Sequence, residues 1–108
     1  MSGSAAATPV GSLDVALAHA RRLLQKDPRL AARQASEILR IAPADPRAGL
    51  ILGAAYRLTG RLQAALELLE VLARSQPRAA PVHMEYGAAL ADERAQAAYR
   101  KRLPGERI

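Results

Sequence analysis

Apolar residues recur at three- and four-residue intervals through most of this 108-residue chain, the spacing of one face of an α-helix. Leu13, Leu17, Ala20 and Leu24 make the first such face, while Arg21, Arg22, Gln25 and Lys26 fall elsewhere on the same helix. Ser12 or Asp14 can accept from the free N–H groups of a first turn, so the pattern predicts a start at one of them. Asp27-Pro28 ends this helix, because proline disfavours helical geometry in the residue before it. The same pair opens the next helix, with Asp27 as cap and Pro28 at the first helical position. That helix runs over about residues 28–42 on a stripe of Leu30, Ala31, Ala35, Ile38, Leu39 and Ala42. Pro43 breaks it, and Asp45-Pro46 repeats the start signal.

The third predicted helix covers about residues 46–59, with Leu50, Ile51, Leu52, Ala55 and Leu58. A helix apolar on more than one side is expected to be covered on more than one side. Gly60 fits a left-handed C-terminal cap. The fourth helix, about 61–75, sets Leu62, Ala65, Leu66, Leu69 and Leu72 against Glu67, Glu70 and Arg74, with Glu70 and Arg74 spaced as a favourable i,i+4 pair. Pro77 closes it. The fifth begins near Pro81 and carries Val82, Tyr86, Gly87 and Leu90. Beyond Ala91 the chain stays helix-prone but poorly amphipathic, so residues 92–103 either extend helix five or form a sixth. Leu103-Pro104-Gly105 ends the pattern.

Residues 1–11 are rich in Ser, Ala, Gly and Pro and have neither the basic nor the apolar region of a signal peptide. They read as a disordered lead-in to a cytoplasmic helical domain at 12–103, with 104–108 frayed. No apolar run approaches the roughly 20 residues of a membrane span.

Composition narrows this picture. Of the 50% hydrophobic residues about half are Ala, and Phe and Trp are absent, so the core is modest. Ala, Leu and Arg are strong helix formers and argue for an all-α fold. The absence of cysteine excludes disulfides and thiolate metal sites. The net charge is +6, with 14 Arg among 16 basic residues. Arg100-Lys101-Arg102 with Arg107 could meet nucleic acid or an anionic surface. Base stacking needs aromatic platforms, however, and the three Tyr lie in no series. A solvated, Arg-rich surface is the simpler reading.

No catalytic constellation emerges. His19 and His83 stand 64 residues apart without a third ligand, so His19 is expected to pack between helices and His83 to lie on the surface. Asp92 and Glu93 are adjacent carboxylates that diverge on a helix and are expected to be solvated. Gly49 and Gly53 are spaced for helix packing and lack the strand of a phosphate loop. The chain is therefore expected to carry no catalytic residue, no metal and no cofactor.

A shift of 34 residues superposes Pro43 on Pro77 and Gly53 on Gly87. That helix-turn-helix period is the tetratricopeptide spacing. The middle unit resembles that family through Leu52, Gly53, Tyr56, Ala65, Leu69 and Pro77, with Gly87 repeating Gly53. Gly49 replaces the family's large residue, which predicts a gap or a tighter helix contact, and Leu72 replaces a usual small one. The first unit matches only at Ala31 and Pro43, with His19 and Arg22 at the glycine and aromatic positions. In the third, Arg94 stands at the turn glycine and Arg100 at a core position. The resemblance implies a right-handed stack of antiparallel helix pairs, about five helices in two to two and a half repeats, at 12–45, 46–79 and a partial 80–103.

The resemblance further implies a protein or peptide partner in a concave groove lined by Leu50, Ala54, Arg57, Leu58, Met84, Ala88 and Ala91. Family members that clamp a terminal carboxylate use Lys and Asn, and this chain has no Asn. The groove is apolar with one or two Arg, suited to an apolar helix or to a neighbouring domain of a longer chain. Residues 23–73 are also similar to the amino-terminal repeats of bacterial proteins that join tetratricopeptide repeats to a sulfotransferase domain, through Ala31-Ala32-Arg33-Gln34-Ala35, Ile38-Leu39, Pro43, Pro46-Arg47-Ala48 and Leu52-Gly53-Ala54-Ala55. On that reading the chain is a repeat segment of an enzyme whose catalytic domain it lacks.

Overall fold

Five α-helices joined by short turns account for nearly all of residues 9–103, which are those the computed structural model describes. They are α1 (Pro9–Lys26), α2 (Pro28–Ile41), α3 (Pro46–Leu58), α4 (Leu62–Ser75) and α5 (Ala80–Arg102). Most boundaries lie within a residue of the sequence expectation, because the local cap chemistry sets them. Asp27 accepts from the Leu30 N–H at 3.3 Å at the start of α2, and Asp45 from the Arg47 N–H at 2.9 Å at the start of α3. The α3–α4 turn is closed by Gly60 at φ +84°, with Gly60 N–H donating to the Arg57 carbonyl at 3.3 Å and Arg61 N–H to the Tyr56 carbonyl at 2.8 Å. This is the Schellman arrangement, and its left-handed residue is strained for any side chain.

One boundary expectation is corrected, and one alternative left open by the pattern is decided. Helix α1 begins at Pro9 rather than at Ser12 or Asp14, so residues 9–11 are helical instead of part of a tail. Proline suits a first helical position, and Asp14 pairs with Arg47 at 3.2 Å across to α3. Residues 1–8 and 104–108, expected as lead-in and frayed end, lie outside the described residues. Helix α5 runs unbroken from Ala80 to Arg102, so residues 92–103 extend it as far as Arg102 and make no sixth helix. Arg94 cannot supply the left-handed turn that Gly60 supplies one repeat earlier, and Ala95, Ala97 and Ala98 favour continuing the helix.

Successive helices pack on one another, and α3 in addition touches α1 and α5, so α3 meets all four other helices. Its apolar residues on several sides are covered on several sides, as the pattern requires. The helices thus alternate between two layers, with α1, α3 and α5 in contact along one row and α2 and α4 apart in the other.

The core has two parts. Leu17 and Ala20 of α1 pack with Ala35 and Ile38 of α2 and with Ala48, Ile51 and Leu52 of α3. Leu62, Ala65 and Leu69 of α4 pack with Ala89 of α5. Tyr56 of α3 borders both clusters. On α5 the buried stripe is Val82, Tyr86 and Ala89, while Gly87 and Leu90 face outward. Ala89 thus takes the place expected of Gly87 and Leu90 on the face that meets α4. Leu30 on α2 is likewise exposed rather than buried.

Size is exchanged across α3 and α4. A Cβ on Gly53 would stand 2.7 Å from Leu69 Cδ2, and one on Gly49 would stand 3.1 Å from Leu72 Cδ1. The missing large residue at Gly49 therefore leaves no gap: the oversized Leu72 fills it. Gly87, in the corresponding place on α5, has nothing within 4 Å of its Cβ position.

Arg47 and Asp45 form a side-on fork, with Nε donating to Oδ1 at 3.0 Å and Nη2 to Oδ2 at 2.8 Å. These hydrogen bonds hold the Asp45 carboxyl below its ordinary pKa. The folded pKa is the lower one, so the stabilisation is complete above the unfolded carboxylate range and is lost as pH falls through the folded value. Asp45→Ala is expected to cost about 1 kcal/mol near neutral pH, as other N-cap truncations do. Urea titrations from pH 7 to pH 2 should show the difference from wild type shrinking toward the acid end. A constant difference across that range would contradict the assignment.

Candidate functional site

Along the row where α1, α3 and α5 touch, these helices line a groove of about 490 Å³. Leu50, Ile51 and Ala54 form its floor, Arg21 and Leu24 line it from α1, and Pro81, Met84, Glu85 and Ala88 line it from α5. Helical periodicity explains the α3 and α5 contributions, since Leu50 and Ala54, like Met84 and Ala88, are one turn apart on one face. The two pairs are also 34 residues apart, so the groove repeats itself along the chain. Met84 is 73% exposed, whereas Leu50 is half-buried and its inner side packs on the α4–α5 cluster.

Four of the seven residues expected in the groove thus meet there: Leu50, Ala54, Met84 and Ala88. Arg57, Leu58 and Ala91 do not line it. Arg57 is drawn aside into an ion pair with Glu85 and donates to Asp92 at 3.3 Å, tying α3 to α5 along the groove edge. The Glu85 hydrogen bond, and secondarily Asp92, raise the Arg57 pKa and keep the guanidinium charged. Asp92, expected to be solvated, is therefore an ion-pair partner, while Glu93 is exposed. Leu58 is 49% exposed near the end of α3, and Ala91 is exposed on α5.

Sequence reasoning missed Arg21, Leu24, Ile51, Pro81 and Glu85. The first two were hidden because His19 and Arg22 disrupt the repeat register of α1, and Ile51 because it also serves the core. The i,i+4 spacing of Pro81 with Glu85, beside that of Met84 with Ala88 on α5, was an available signal.

The remaining expected positions divide in the same way. Leu52, Gly53, Tyr56, Ala65 and Leu69 pack between α3 and its neighbours. Pro77 is exposed beyond α4, and its carbonyl accepts from His83 Nε2 at 3.0 Å on the surface. Gly87 faces open space and is no packing contact. His19 is exposed and does not pack between helices. The Glu70–Arg74 pair is formed at 2.7 Å.

Among the described residues no group of three or more His, Asp or Glu is placed to hold a metal ion. No helix among them is long and apolar enough to cross a membrane. Comparison with protein-family models, curated proteins and solved structures finds no match for this chain.

Proposed function

We propose that this chain is a non-catalytic, tetratricopeptide-like interaction module whose α1–α3–α5 groove binds a partner polypeptide through apolar side chains. The observation that carries this reading is the repeated pair Leu50/Met84 and Ala54/Ala88, which lines one open, largely apolar groove. An exposed methionine beside small residues is an adaptable surface for aliphatic side chains. The 34-residue offset, the alternating layers and the Gly53–Leu69 contact support a stack of helix pairs. Arg21 on the α1 wall would favour a partner that also carries a negative charge, while Glu85 is engaged by Arg57.

The test is a peptide selection against the intact chain, using a randomised library displayed on phage. Enriched peptides are expected to carry apolar residues at i and i+3 or i+4. Met84→Glu should weaken their binding at least tenfold, because a carboxylate would be desolvated in the groove. Val71→Glu, at a 63% exposed site on α4 that does not line the groove, should leave it unchanged. Equal loss in both variants, with helical circular dichroism intact, would reject the groove as the binding site.

A further inference from the structure

A second cleft, about 520 Å³, opens between α2 and the α3–α4 turn. Arg29 and Arg33 of α2 line one wall, Arg61 the other, and Tyr56, Ser36 and Thr59 complete it. We infer that this cleft is a binding site for the phosphoryl group of a small phosphorylated molecule.

The three arginines form no ion pair among the described residues. Two of them stand where a helix disfavours positive charge. Arg29 is in the first turn of α2, and Arg61 is the N-cap residue of α4, where no side chain caps and no acidic residue occupies the first turn. At the start of α4 the partial positive charge of the helix adds to the Arg61 guanidinium instead of opposing it, whereas at the start of α2 the Asp27 carboxylate caps the helix. Arg47 makes the contrast within the same chain: it stands in the first turn of α3, and there Asp45 and Asp14 both pair with it. Arg29, Arg33 and Arg61 have been given no such partners. The one carboxylate in the lining, Glu37, is engaged by Arg40 at 2.7 Å.

Geometry favours an oxyanion of high charge. The Arg61 guanidinium lies over the Tyr56 ring at 4.6 Å from its centroid, a cation–π contact that keeps it beside the cleft. Arg29 and Arg33 are i,i+4 on α2 and reach the same space from one face. A phosphate monoester offers three acceptor oxygens and nearly two charges to three forks, whereas a carboxylate offers two oxygens and one charge. The cleft volume is that of a small-molecule site. The cleft and the apolar groove share no lining residue, so this inference stands apart from the proposed partner binding.

Inorganic pyrophosphate is the probe, titrated calorimetrically into the full chain in low-salt buffer. Saturable one-to-one binding is expected, weakened at least tenfold by Arg33→Gln and by Arg61→Gln. Arg61→Lys keeps the charge but loses the planar fork, and should weaken binding several-fold. Arg78→Gln, in the α4–α5 turn outside the cleft, should change it less than twofold. Inorganic phosphate and a nucleoside diphosphate, titrated in parallel, separate recognition of the phosphoryl group alone from recognition of what it is attached to. No saturable binding, equal weakening by Arg78→Gln, or succinate binding as tightly as pyrophosphate would each overturn the inference.

Discussion

Leu69→Ala is expected to lower the free energy of unfolding by about 2–5 kcal/mol, measured by urea denaturation. Leu69 is fully buried between α3 and α5, and Leu62 is the one other large side chain among the buried members of its cluster. Its Cδ2 and Cγ lie 2.7 and 2.8 Å from the place a Cβ on Gly53 would take. Gly53→Ala alone should therefore destabilise: displacing a buried leucine costs about 1–3 kcal/mol, more than the roughly 1 kcal/mol that alanine gains over glycine in a helix. In the Leu69→Ala background the obstruction is gone, and Gly53→Ala should become stabilising. Additive effects in that double-mutant cycle would show that Leu69 does not dictate the glycine. Gly87→Ala, with open space at its Cβ position, should stabilise α5 by about 0.5–1 kcal/mol.

Leu17→Ala should cost a comparable amount, about 2–5 kcal/mol, from the other half of the core. Leu17 is 2% exposed and is the one large fully buried side chain that α1 contributes. In a domain stable by only about 5–15 kcal/mol such a loss is a large fraction of the whole. It should nonetheless appear as one transition, with tyrosine fluorescence and far-ultraviolet circular dichroism melting together. Helix α3 touches every other helix and Tyr56 borders both clusters, so the α4–α5 half, with Tyr86 in it, cannot stay ordered after α3 is released. A tyrosine signal that survives the loss of helicity would show two independent units instead.

These effects could not have been ranked from the pattern alone. Leu17, Leu58, Leu69 and Leu90 all sit on apolar helical stripes, yet Leu58 and Leu90 are exposed and the other two are buried. The distinction depends on which helix lies opposite. Gly53 and Gly87 have the same place in the repeat, but one meets Leu69 and the other meets nothing. The second cleft was equally hidden, because Arg29, Arg33 and Arg61 read as solvated surface until α2 and the α3–α4 turn were brought together.

What the sequence determined by itself was local. The Asp-Pro starts, the Gly60 stop, the apolar stripes of α1 to α4 and the all-helical class follow from cap geometry, left-handed φ and the 3.6-residue period, each settled within a few neighbouring residues. Even the central place of α3 was legible, since a helix apolar on several sides has to be surrounded. The tertiary structure alone decided where α5 goes after Ala91, which half of the expected groove stays open, and that Arg57 joins Glu85 and Asp92 instead of facing a partner. Those outcomes turn on contacts between residues about 30 apart in the chain, whose strength depends on distance and burial that no local spacing encodes.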